Sequence, residues 1–173
     1  MKAKNLITQF NFILIGLLMF TQNVDAQKGK HKADKQTIAW RYEIEPVGTG
    51  TQGTYQIKVW SYSKHPETAI EQAKKNAVHG IIFKGVPGKQ KPLARKANLY
   101  EENEAFFKKF FKTGSGDYMK FVALANNGQI AAGDRIKISK KEYKIGVIVS
   151  VNVSELRKYL EDNGIIKGLS DGF

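Results

Sequence analysis

Three groups of residues in this chain have types and spacing that could support chemistry. Residues 48–53 read GTGTQG, which matches the G-x-G-x-x-G pattern of a dinucleotide-binding loop. That chemistry needs a strand, a glycine-rich turn and then a helix whose free N–H groups face the pyrophosphate. Here both flanks alternate instead: Ile38, Trp40, Tyr42 and Ile44 before the loop, Tyr55, Ile57 and Val59 after it. Period two on either side predicts two strands. Gly48, Gly50 and Gly53 are then expected to serve a loop between antiparallel strands, with no free helix end to hold a phosphate. As an exposed loop they remain candidate partner contacts.

The second group is basic. Residues 84–97, KGVPGKQKPLARKA, carry Lys84, Lys89, Lys91, Arg95 and Lys96 with no acidic residue among them. Pro87, Gly88 and Pro92 predict a loop. Nothing in a fold requires five cations on one loop, so the segment is expected either to grip carboxylate or phosphate groups of a partner or to stand as a solvated loop.

The third group comprises the titratable and nucleophilic side chains. His31, His65 and His79 stand far apart, none at H-x-x-x-H or H-E-x-x-H spacing, and the chain has no cysteine. The sequence therefore asks for no metal and no cofactor. His79 is expected at the edge of a helix core stripe, hydrogen-bonded to backbone. Ser115 lies in GSG after a helical stretch and before a predicted strand, the reverse of a nucleophile elbow. Asp117, Asp134, Glu142 and Asp162 are the carboxylates from which a glycosidase pair would have to come, and turn positions account for Asp117 and Asp134. The reading is a protein without catalytic activity. A small hydrolase whose site assembles only in three dimensions stays open as an alternative.

The elements that must position these residues follow from patterning. Lys2 and Lys4 precede the apolar run Phe12–Phe20, which is too short to span a bilayer at about 20 residues, and Val24-Asp25-Ala26 ends in a small residue. This predicts a signal peptide over 1–26, cleaved after Ala26, and a periplasmic or secreted protein. Residues 27–37 read as a disordered basic arm with Lys28, Lys30, Lys32 and Lys35. Residues 38–173 read as one domain, since a mature chain of roughly 145 residues buries enough surface to hold itself without disulfides. No transmembrane segment is expected in the mature chain. The formal net charge of +12 favours anionic partners such as lipopolysaccharide, anionic glycan or anionic lipid. Nucleic acid fits poorly, because the cations are not interleaved with aromatics and the chain carries an export signal.

Strands are predicted over 38–45, 54–62, 118–125, 135–139 and 143–151. An alanine-rich helix is predicted to start at Pro66 and end near Phe83–Gly85. A second helix over NLYEENEAFFKKFFKTG is expected to be capped at Asn98 and Glu101, with Phe106, Phe107, Phe110 and Phe111 on one face, either core or exposed to a partner. Asn127-Gly128 predicts a tight turn. Gly146 and Ser150 are expected to thin the sheet face on which the alanine helix packs. Asn152 and Glu155 cap a last helix, closed by Gly164, and the tail with Ile165, Ile166, Leu169 and Phe173 is expected to dock on the body. The order β-β-α-α-β-β-β-α predicts an α+β fold with an antiparallel or mixed sheet and helices mainly on one face.

The stretch from Trp40 to Lys84 and the closing YKIGVIVSVNVSELRKYLEDNGIIKG together resemble short exported proteins of the Bacteroidota. More distantly, the plan is similar to the α+β domain of outer-membrane assembly lipoproteins and of periplasmic flagellar-assembly proteins: a glycine-rich hairpin, an alanine-rich helix, then a strand leading into a helix patterned here by Val151, Val153, Leu156 and Leu160. The chain lacks the lipidation cysteine of those lipoproteins. The resemblance implies a non-enzymatic envelope or assembly component that works by protein–protein contacts, with a polyanion-binding module as the alternative.

Overall fold

The computed structural model describes residues 40–50 and 53–168. The signal peptide, the basic arm, Thr51, Gln52 and the tail beyond Gly168 lie outside the described residues. The fold is α+β, with five antiparallel strands: β1 Tyr42–Thr49, β2 Thr54–Ser63, β3 Val122–Leu124, β4 Arg135–Ser139 and β5 Glu142–Asn152. β2 and β5 form the central pair, in unbroken register from Thr54 opposite Asn152 to Ser63 opposite Tyr143. β1 lines the other side of β2, and β3 and β4 share the outer side of β5. Pro46 has no N–H to donate and sits in β1, a strand with a single neighbour, where that loss is tolerated.

Alternation decides which side chains are dry. Ile57, Val59, Ile145, Val147, Val149 and Val151 point to one face and are fully buried. That face is covered by α1, Pro66–Phe83, which packs on β2 and β5. Ala69, Ala73 and Ala77 give α1 a flat buried stripe, and Gly80 lies against Ile44 and Tyr42 of β1. A layer of aromatics closes the other side of α1. α2 (Leu99–Glu102) and α3 (Glu104–Phe110) bring Phe107, Phe110 and Phe111 into the same core, where Phe107 meets Phe83 and Phe111 meets His79. α4, Val153–Asp162, adds Leu156 and Leu160. The phenylalanine face is thus core, with only Phe106 half-buried.

Five expectations need correction. The predicted second helix breaks at Asn103, whose φ of −124° and ψ of 33° leave the helical region. Asn98 caps nothing through its side chain and instead donates to Glu102 Oε1 at 2.9 Å. Residues 117–121 form a 3-10 turn rather than a strand, because Tyr118 and Phe121, three apart, are the residues this segment buries. The Asn127-Gly128 turn does not join paired strands: Asn126, Asn127 and Gly128 all have positive φ, and the chain travels on to β4, which pairs β5 and not β3. Finally, the alanine helix packs on the valine face of β5. The opposite face, thinned at Gly146, receives the Trp60 ring instead, with an ideal Cβ at Gly146 falling 3.0 Å from it.

Candidate functional site

The basic segment 84–97 is an ordered connection. Val86 and Leu93 are buried, Val86 bridges Gln90, and the Leu93 and Ala94 N–H groups donate to Ile81 and Ile82 carbonyls of α1 at 3.2 and 2.8 Å. Anchored this way, the five cations go to different places. Lys84 Nζ stands 3.9 Å from the centre of the Tyr42 ring, a cation–π contact within the fold. Lys89 and Lys91 are exposed near the tip of the connection. Arg95 and Lys96 turn toward α4 and line a cavity of about 730 Å³, within the range of small-ligand and peptide-anchor sites.

Leu93, Leu99, Ile165 and Ile166 give this cavity an apolar lining, and Arg157, Glu161 and Asp162 of α4 face Arg95, Lys96 and Glu102 around it. Most of these charges are already paired. Lys96 meets Glu102 at 3.3 Å, Arg157 meets Glu161 at 3.6 Å, and Asp162 meets Lys158 at 2.6 Å. Arg95 and Lys167 have no ion-pair partner among the described residues, so the surplus charge at the cavity is positive. Two segments more than fifty residues apart build this arrangement, held by Asn152, whose side chain accepts from the Glu155 N–H to start α4, and by Gly164 at φ +70°, which turns Ile165 back into the core.

The glycine loop serves the fold. β1 passes directly into β2, so no helix follows the glycines. Gly48 pairs with Gln56, and the Gly50 N–H donates to Thr54 O at 2.8 Å. The Gly53 carbonyl accepts from Val153 N–H at 3.0 Å, and at φ +75° an ideal Cβ on Gly53 would fall on Ser154 Oγ. The loop therefore seats the start of α4, and its three glycines do not line the cavity.

The strongest perturbation of a titratable group lies elsewhere. His79 is buried, and its Nδ1 shares a 2.7 Å hydrogen bond with the Tyr42 hydroxyl, not with backbone as its position on the helix suggested. Trp40 stacks on the imidazole at 3.6 Å between ring centres, and Phe83 and Phe111 close around it. Burial, with Lys84 and Lys75 adding to it, pushes the His79 pKa down to about 3, and burial pushes the Tyr42 hydroxyl up. Trp40 holds a φ of 45°, a left-handed backbone that a bulky residue adopts only when its surroundings impose it. This neutral imidazole is sealed under rings and is not part of the cavity lining. The carboxylates considered for hydrolysis are also dispersed: Asp117 is bonded by Tyr159 and Lys120, Asp134 by Lys58, Glu142 by Arg41 and Asp162 by Lys158.

Sequence reading pointed to Arg95 and Lys96, but it missed Leu93, Leu99, Arg157, Glu161 and Lys167 as their companions. The one signal available was the basic charge of 84–97, and charge alone does not say which distant helix it faces. Comparison with protein-family models, with curated proteins and with solved structures gave no match. Among the described residues, no helix is long and apolar enough to cross a membrane.

Proposed function

We propose that this protein is an exported, non-catalytic component of the cell envelope that acts by holding a partner protein, with the cavity between the basic connection and α4 as the contact. The observation that carries the proposal is a pair of cations, Arg95 and Lys167, that have no ion-pair partner among the described residues and stand beside an apolar lining of Leu93, Leu99 and Ile165. Such a cavity suits a protein segment that offers an apolar side chain next to a carboxylate: the apolar group leaves water while the carboxylate meets one of these two cations. Export rests on Lys2, Lys4, the apolar run Phe12–Phe20 and the small residue Ala26. The resemblance to envelope-assembly domains points the same way.

The test is the native size of the protein in gently solubilised envelope at low and high salt, for the wild type and for Arg95→Glu with Lys167→Glu. A large species that survives high salt and is lost in the double variant supports the assignment. A monomer at both salt concentrations overturns it. Both positions are at the surface of the fold, so an unchanged thermal midpoint for the double variant separates lost contact from lost folding.

A further inference from the structure

The hairpin of β4 and β5 carries a second surface, which shares no residue with the cavity. All five residues of β4 are exposed, including Ile136 at 45% and Ile138 at 47%. From Arg135 to Lys141 the chain reads RIKISKK: four cations, two isoleucines and no acid. The carboxylates on either side are engaged elsewhere, Asp134 by Lys58 at 2.7 Å and Glu142 by Arg41 at 3.2 Å. Arg135 lies 4.5 Å above the Tyr143 ring. Lys137, Lys140 and Lys141 are left without a carboxylate among the described residues.

Lysines on an edge strand ordinarily keep other strands away. That explains the cations of β4 but not its two exposed isoleucines, which would work against that purpose. The register of β4 also slips between Lys137 and Ser139, and such a bulge spoils the straight edge that an added strand would need. Aliphatic side chains interleaved with unpaired cations on a hairpin tip match a different surface. At an anionic bilayer, ammonium groups reach the headgroup phosphates while short aliphatic chains enter the acyl boundary. We infer that the β4–β5 hairpin docks the protein on an anionic lipid surface, with Ile136 and Ile138 entering the interface and Lys137, Lys140 and Lys141 contacting the phosphates.

The experiment is co-sedimentation of the full protein, purified from its native source, with vesicles of phosphatidylcholine alone or mixed with phosphatidylglycerol. The expected result is binding to the mixed vesicles, with at least a fivefold loss for Ile136→Ser with Ile138→Ser and a similar loss for Lys137→Gln, Lys140→Gln and Lys141→Gln together. Because the chain has no cysteine, Ile138→Cys offers a single position for an environment-sensitive fluorophore, and its emission should shift to the blue on mixed vesicles. Equal binding to neutral and mixed vesicles overturns the inference. So does wild-type binding by the isoleucine variant, which would assign adsorption to other cations such as those of residues 27–37. A silent fluorophore on bound protein, or a dimer that the isoleucine variant dissolves in the absence of lipid, overturns it as well.

Discussion

The two faces of the sheet alternate along the same strands, yet they handle polar groups in opposite ways. On the covered face, beneath α1, two strand side chains are neutral and bonded to side chains of the helix: Asn76 Nδ2 donates to Ser61 Oγ at 3.0 Å, and Tyr42 shares its hydrogen bond with His79. On the open face several are charged and paired. Lys144 meets Glu43 at 2.6 Å, Tyr62 donates to the same carboxylate at 2.8 Å, Arg41 lies over the Tyr62 ring, and Lys58 meets Asp134. The difference is one of water. Where a helix excludes it, desolvation dominates and pushes His79 toward its neutral form. Where water has access, hydrogen bonds to the charged form dominate and hold Glu43 ionised. The small residues follow the same division: Gly80 brings a helix close on one face, and Gly146 makes room for the Trp60 ring on the other.

The largest test of this contrast compares one isoleucine from each face. Ile57 is fully buried on the covered face, so Ile57→Ala should cost about 2–5 kcal/mol through lost burial and the cavity left behind. Ile148 is half-buried on the open face, and Ile148→Ala should cost less than half as much, because the gap opens toward solvent. Urea denaturation of both variants, with unchanged slope, reads the difference. Equal losses would mean that something covers the open face in solution.

Next in size is the acid response of the covered face. In the unfolded chain His79 titrates near 6.5; in the fold it titrates near 3. Between these values the unfolded state binds the extra proton, so stability is full above pH 6.5 and is lost as pH falls toward 3. A tenfold difference in proton affinity is worth about 1.4 kcal/mol. With allowance for relaxation of the buried site, the whole loss should be on the order of 3 kcal/mol. His79→Asn keeps a polar group near the Tyr42 hydroxyl but cannot titrate. Its stability should be lower at neutral pH and flatter between pH 6.5 and 4.5, as followed by denaturation midpoints across that range. A variant as acid-sensitive as the wild type in this window would exclude His79 as the source.

How far these features could be read from the chain depended on whether the signal was local. β2, α1, β5 and α4 were legible because their periodicity is long and their ends carry Pro66, Asn152 and Gly164. The core role of the phenylalanines was open in sequence, since a face of four aromatics looks the same whether it meets a core or a partner. The 3-10 turn at 117–121 passes for a strand in sequence because Tyr118 and Phe121 also fit a short β pattern. Gly146 does not reveal its neighbour, since a glycine announces space but not what fills it. The cavity was half visible: Arg95 and Lys96 stood out by charge, while Arg157 and Lys167 reach them only through the packing of α4.

Gly146 provides the third test. An alanine there would bring its Cβ to about 3.0 Å from three atoms of the Trp60 ring, closer than carbon atoms sit at rest. Overpacking of this kind costs about 1–3 kcal/mol, and Trp60 is itself buried, so the ring has little room to give way. In a Trp60→Leu background the cost of Gly146→Ala should nearly vanish, and a double-mutant cycle of thermal midpoints measures the coupling. Additive losses would show that the ring and the glycine do not constrain each other.

The smallest effect belongs to the Glu43–Lys144 pair on the open face. Hydrogen bonds from Lys144 and then Tyr62 hold the Glu43 carboxyl below its ordinary 4.5, so its stabilisation is present above pH 4.5 and is lost as pH falls through the lower folded value. The hydrogen bond to Glu43 raises Lys144 above its ordinary 10.5, so that contribution is present below pH 10.5 and fades as pH rises through the higher folded value. The pair should therefore give a plateau between the two, which no single titration on the covered face can produce. Glu43 is about half exposed, with 52% of its side chain accessible, so solvent and salt screen the pair, and Glu43→Gln should cost under about 1 kcal/mol at neutral pH. That cost should shrink further in high salt, whereas the cost of Ile57→Ala should not. If the Glu43→Gln loss is unmoved by salt, the open face is drier than its exposure implies, and the contrast between the two faces narrows to one of composition alone.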